Sequence, residues 1–116
     1  MIHGTHNALP DPRNEAILIS INGELFPRSE AKISVFDSGY LVGDGVWEGI
    51  RLYNGRWTFL DEHIARLFEA AKAIDLDIGL TPDQVISAVL ETQAANGMTT
   101  DAHARLMLTR GVKTRP

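Results

Sequence analysis

The chain reads as alternating blocks of strand-like and helix-like periodicity. Ile17, Leu18, Ile19 and Ile21 form an apolar run over residues 16–21, which Asn22-Gly23 interrupts before residues 24–27 return. Asn-Gly supplies the two positive-φ positions of a two-residue hairpin turn, so this segment predicts a β-hairpin. Residues 46–53 are strand-like, Asn54-Gly55 repeats the turn signal, and residues 56–59 are the expected partner strand. Between the hairpins, residues 32–36 alternate weakly and predict a short strand. Gly39, Gly43 and Gly45 then predict an irregular loop over 39–45.

The period changes after the second hairpin. Ile64, Leu67, Phe68, Ala71 and Ile74 fall on one face of a helix, with Asp61 expected as its N-cap. A second helix is announced by Thr81-Pro-Asp-Gln84, a capping box with proline at the first helical position. Val85, Ile86, Val89, Leu90 and Gln93 continue its stripe toward Gly97, the expected C-cap. Ala104, Leu106 and Leu108 then alternate with Arg105, Met107 and Thr109, as in a strand returning to a sheet. The order hairpin, hairpin, α, α, β predicts an α+β two-layer domain: an antiparallel sheet with two helices, over residues 16–116. Residues 1–15 carry Gly4, Pro10 and Pro12 with little apolar content and are expected to be a flexible tail.

Composition narrows the functional classes. A chain of 116 residues suits one domain with one core. Its 44% hydrophobic and 22% charged residues are ordinary for a globular protein. The net charge of −4 comes without a basic stripe, so nucleic acid is not an expected partner. With no cysteine there is no disulfide scaffold and no thiolate metal site, which fits a reducing cytoplasm. Four histidines without ligand spacing give no expectation of a metal. No apolar run approaches the roughly 20 residues that span a bilayer, and the first residues lack a signal peptide's apolar segment, so a soluble cytoplasmic protein with no membrane partner is expected.

Candidate chemistry lies in three places. The loop 39–45 lacks the Gly-Lys-Ser/Thr ending of a phosphate loop and leads into a strand, so its glycines read as a bend whose backbone passes close to something. On the strand that follows, alternation puts Trp47, Gly49 and Arg51 on one face and Val46, Glu48, Ile50 and Leu52 on the other. That arrangement fits either a tryptophan packed over a core or a wide aromatic beside a gap and a cation. On the first helix Arg66 follows His63 by three residues. It could be a solvated arginine paired with Glu62 at i, i+4, worth about 0.3–0.5 kcal/mol, or a guanidinium fork for an oxyanion. Asp44 and Glu48 make a weak candidate acid/base pair.

The run Tyr40-Leu-Val-Gly-Asp-Gly-Val-Trp-Glu-Gly-Ile-Arg51, followed by Glu62-His-Ile-Ala-Arg-Leu67, resembles the amino-terminal small domain of class IV aminotransferases. These are fold type IV enzymes of the branched-chain and D-amino acid aminotransferase kind, which use pyridoxal 5'-phosphate, and the resemblance covers most of residues 17–116. It implies that Arg66 binds the cofactor's phosphate. Trp47 matches an aromatic, usually Phe or Tyr, that stands beside the substrate, and Gly49 matches a small residue that leaves room there, with Arg51 on the same face. Val42 matches a position often occupied by Tyr in branched-chain enzymes. Arg115 matches the carboxylate-trapping arginine of D-amino acid enzymes, and Arg105 a strand arginine near the side-chain pocket of branched-chain enzymes.

No catalytic residue is expected in this chain, because in the family the Schiff-base lysine belongs to a second domain, beyond Pro116 here. Lys32, Lys72 and Lys113 do not occupy its position. The resemblance therefore implies part of a homodimeric transaminase that moves an amino group between an amino acid, branched-chain or D-configured, and a 2-oxo acid. Without its C-terminal domain the chain is not expected to be catalytically competent. The alternatives are a class IV lyase such as aminodeoxychorismate lyase, or a non-catalytic dimerisation module.

Overall fold

The computed structural model describes residues 10–113. The chain divides into two compact units, one within Met1–Ala31 and the other within Lys32–Pro116. In the first, strands β1 (Leu18–Ile21) and β2 (Glu24–Pro27) pair antiparallel from Leu18↔Pro27 to Ile21↔Glu24. Asn22 (φ 53°) and Gly23 (φ 82°) take the left-handed conformations that the Asn-Gly signal predicts. A 3-10 turn at Pro12–Asn14 precedes the hairpin, capped by the Asp11 carboxylate, which accepts from the Arg13 amide and guanidinium. The flexible tail expected over 1–15 therefore gives way to structure before Ala16, because this local cap satisfies the turn's amides; residues 1–9 lie outside the described residues.

The second unit contains α1 (Ser38–Val42), β3 (Gly45–Tyr53), β4 (Arg56–Trp57), α2 (Leu60–Ala73), α3 (Pro82–Asn96) and β5 (Ala102–Thr109). Its sheet has the order β4-β3-β5, with both pairings antiparallel. β5 pairs with β3 along eight positions, from Gly45↔Thr109 to Leu52↔Ala102. The core lies on one face of this sheet, where Ile50 of β3 packs with Ile64 and Leu67 of α2 and Val85 of α3. Leu52 is also fully buried. Each such side chain stabilises the fold by about 1.5–3 kcal/mol relative to exposure. The α+β two-layer expectation holds: helices cover one face of an antiparallel sheet and leave the other open.

Several local expectations need correction. Residues 32–36 form no strand, because the Ser34 hydroxyl accepts from the Phe36 amide and the Ser34 carbonyl from the Asp37 amide, which turns the chain. The loop expected at 39–45 is largely helix α1, with Asp37 as N-cap and Gly43 as left-handed C-cap (φ 69°). β4 stops at Trp57, not at residue 59, since Phe59 adopts a left-handed conformation (φ 53°) and leads directly into α2. Phe59, not Asp61, is therefore the N-cap; Asp61 and Glu62 fall in the first turn, where their charge suits the helix dipole.

In α3 the capping box of Thr81 and Gln84 and the Gly97 C-cap form as expected. Its buried stripe is narrower than the pattern suggested: Val85 and Val89 are buried, whereas Leu90 is 45% exposed. Gln93 on that helix accepts from the Trp57 indole at 2.8 Å and donates to the Met98 carbonyl at 3.0 Å, tying β4 to the end of α3. Among the described residues, no helix is long and apolar enough to cross a membrane.

Candidate functional site

The open face of the sheet carries Trp47, Gly49, Arg51 and Tyr53 from β3, and antiparallel pairing sets His103, Arg105 and Met107 of β5 opposite Arg51, Gly49 and Trp47. Paired residues in an antiparallel ladder project to the same side, so these side chains form one surface. Trp47, Tyr53 and Met107 are each more than half exposed. The Arg105 guanidinium sits over the Trp47 ring, 4.5 Å from its centroid. Arg51 lies 5.7 Å from the Tyr53 centroid and 3.8 Å from the Asp101 carboxylate. The face is aromatic and cationic, suited to an organic anion with an apolar part.

Gly49 leaves room that His103 fills. A Cβ at Gly49 would come within 2.8 Å of His103 Nε2 and 2.9 Å of Cε1. The imidazole occupies the space that the missing side chain leaves, beside the Trp47 ring.

On the opposite side of β3, Glu48 is buried among core residues, only 3% exposed. Its carboxylate accepts two hydrogen bonds from Arg66 of α2, Nε to Oε1 at 2.5 Å and Nη2 to Oε2 at 2.7 Å. His63 Nδ1 lies 3.3 Å from Oε2. An ionised carboxylate only accepts, so His63 carries its proton on Nδ1 for this contact. The Arg66 hydrogen bonds, followed by that from His63, hold the Glu48 carboxyl below the usual carboxylate range in spite of its burial. Arg66 itself remains 69% exposed at its side chain. The guanidinium has five N–H groups, and Glu48 engages the Nε edge, which leaves both hydrogens of Nη1 and one of Nη2 available. Those form the end of the fork, the geometry that two oxygens of a phosphate accept.

The stretch from Asp37, the N-cap of α1, to Gly45 at the start of β3 is fixed to the end of β5. The buried Asp37 carboxylate accepts from the Gly39 amide at 2.8 Å and from the Thr109 hydroxyl at 3.0 Å. A Cβ at Gly45 would meet the Leu108 carbonyl at 2.5 Å, so the close backbone approach inferred from these glycines is toward β5. Arg110 donates to both Asp44 carboxylate oxygens, at 2.7 and 3.2 Å, and to the carbonyls of Ile74 and Asp75 at the end of α2. It lowers the Asp44 pKa, first through that side-chain hydrogen bond.

The structure thus brings Trp47, Gly49, Arg51 and Arg105 together on one face and puts Arg66 on the other side of the same strand. Between the two sets, the edge of β3 turned away from β5 is unpaired by any described strand over 45–50, since β4 pairs only with Leu52 and Tyr53. Val42 ends α1 and is exposed. Arg115 lies outside the described residues. Asp44 and Glu48 do not form an acid/base pair, because each is bound to its own arginine. Arg66 pairs with Glu48; the i, i+4 alternative with Glu62 does not describe its contact. Among the described residues, no three His, Asp or Glu side chains converge as metal ligands.

His103, the partnership of Glu48 with Arg66, and Arg110 join the site only through the tertiary structure. Alternation in β5 was enough to put His103 beside Arg105 on the polar face, but its partner Gly49 depends on register.

The amino-transferase class IV family matches residues 45–115, more than half of the chain. The chain belongs to the class IV aminotransferases. Branched-chain-amino-acid aminotransferase-like protein 1 of Arabidopsis thaliana is 45% identical over 91% of this chain and 19% of its own length. D-alanine aminotransferase of Staphylococcus haemolyticus is 38% identical over 84% of this chain and 34% of its own. Among solved structures, the T.th. branched-chain amino acid aminotransferase complexed with N-(5'-phosphopyridoxyl)-L-glutamate is 32% identical, with a TM-score of 0.76, over 85% of this chain and 34% of that one. The chain therefore spans about a third or less of the length of these relatives.

Proposed function

We propose that this chain is the small domain of a pyridoxal 5'-phosphate-dependent transaminase, acting on an amino acid and a 2-oxo acid as part of a longer polypeptide. The observation that carries the reading is Arg66: a guanidinium anchored on one edge by Glu48 and exposed at the other, on a chain of this family. When bound, the cofactor supplies the electron sink for transamination. In this reading Arg66 binds its phosphate as a charged fork. Trp47 and Arg105 flank the substrate's side chain, Arg51 adds positive charge for a carboxylate, and the close fit of Gly49 and His103 sets the floor between them. Val42 and Arg115 belong to the same assignment through the family resemblance.

The lysine that bonds to the cofactor is assigned to a C-terminal domain, which the chain's share of its relatives' length supports. A homodimer belongs to the same proposal; the exposed apolar side chains of Ile33, Val35, Phe36 and Tyr40 give a second subunit or domain something to cover. Branched-chain substrates are favoured over D-amino acids by the higher identity to the branched-chain-type relative.

The test uses the full-length gene product, assayed with branched-chain and D-amino acids against 2-oxoglutarate, with cofactor affinity measured for the wild type and Arg66→Ala. Amino transfer is expected with the branched-chain set. Arg66→Ala should weaken cofactor binding about ten- to a hundredfold, the loss of a charge-assisted hydrogen bond. Product formation without amino transfer would favour a lyase, and an unchanged dissociation constant would remove Arg66 from the cofactor site.

A further inference from the structure

We infer that Glu48 is a positioning residue for the cofactor phosphate: from inside the core it sets the guanidinium of Arg66 so that the free end of the fork faces outward. The inference rests on the assignment of Arg66 to that phosphate.

Glu48 sits on the buried face of β3 among side chains such as Ile50, where an unpaired carboxylate would be costly. Packing does not require a charge there, since a hydrophobic side chain of similar volume replaces a buried ion pair with little loss or even a gain in stability. What the carboxylate adds is direction. Two parallel N–H···O bonds fix both the position and the plane of the guanidinium, and His63 Nδ1 braces Oε2 from the same helix. The arginine is thereby ordered before any ligand arrives, although most of its side chain faces solvent. An unrestrained surface arginine would lose rotamer freedom on binding, and here that loss occurs on folding instead. Glu48 reaches the ligand only through Arg66, so its effect must vanish when Arg66 is absent.

That dependence defines the experiment. In the full-length gene product, dissociation constants for pyridoxal 5'-phosphate and for pyridoxal, which lacks the phosphate, are measured for the wild type, Glu48→Gln, Arg66→Ala and the double variant. Glu48→Gln should weaken the phosphorylated ligand about tenfold, as expected for loss of an ordered charge-assisted contact. It should leave pyridoxal unchanged and add nothing in the Arg66→Ala background. Equal losses for the two ligands, or the same loss with Arg66 removed, would show Glu48 to be structural and overturn the inference. Normal discrimination in Glu48→Gln, with discrimination lost in Arg66→Ala, would overturn it while leaving the Arg66 assignment standing. Discrimination kept in Arg66→Ala would remove both. Should Glu48→Gln fail to fold, Glu48→Leu fills the same core position without the fork and carries the same comparison.

Discussion

Arg105 of β5 stacks over Trp47 of β3, its guanidinium 4.5 Å from the ring centroid, and the two together form the most prominent feature of the open sheet face. Cation–π pairs of this kind contribute about 0.5–1 kcal/mol when exposed. The larger consequence is spatial, since each side chain restricts where the other can go. Replacing Trp47 with Phe should shrink the aromatic surface under Arg105 and enlarge the space beside Gly49. Relative kcat/KM among substrates of different bulk is then expected to shift by about 1–3 kcal/mol in favour of the larger ones. An equal loss for every substrate would make Trp47 a packing residue.

Gly49→Ala tests the contact with His103. The added methyl would meet the imidazole tip on an exposed face, where the ring can swing aside more cheaply than backbone can move. Stability is therefore expected to fall by less than about 1 kcal/mol, while the imidazole resonances of His103 move in the NMR spectrum. A large stability loss with an unmoved His103 would mean that the ring is locked in place.

The ion pair of Glu48 makes a prediction about acid. Its folded pKa lies below the ordinary carboxylate range, chiefly because Arg66 bonds the ionised form. A lowered folded pKa gives a stabilising contribution that is present above the unfolded pKa and is lost as pH falls through the folded one. Denaturant unfolding followed against pH should show this acid limb in the wild type and a flatter one in Glu48→Gln. Superimposable acid limbs would mean that the pairing contributes nothing to stability.

Arg110→Ala should loosen the segment between α1 and β3 without unfolding the domain. The pair it forms with Asp44 is exposed, so the stability cost is expected to be small. Amide exchange is the sharper measure. Residues 38–45 should exchange faster, because Arg110 ties Asp44 to the end of α2, while α3 keeps its protection. Unchanged exchange across 38–45 would show that the Asp37 to Thr109 bond alone holds the segment.

Local signals decided much of this protein. Asn22-Gly23 and Asn54-Gly55 turn the chain because both residues of each pair adopt positive φ, a property of the dipeptides themselves. Thr81 and Gln84 start α3 through hydrogen bonds between residues three apart. Alternation along β3 and β5 separates the core-facing side of Ile50 and Leu106 from the exposed side of Trp47 and Arg105. The motif from Tyr40 to Arg51 was likewise enough to suggest the family to which the chain belongs.

What the sequence could not specify by neighbours alone is who meets whom across the fold. Helix α1 forms where glycines suggested a loop, since its cap Asp37 is held by Thr109 from the far end of the chain. His103 comes to rest over Gly49 through the register of β3 against β5, and register follows from which faces the core buries. Glu48 and Arg66, read separately as a candidate acid and a candidate phosphate ligand, become one unit when α2 packs on the buried face of β3. Short-range chemistry writes turns, caps and faces into the sequence. Burial against a distant element selects the partners, because only there does a charge such as Glu48 lose water and require a particular arginine.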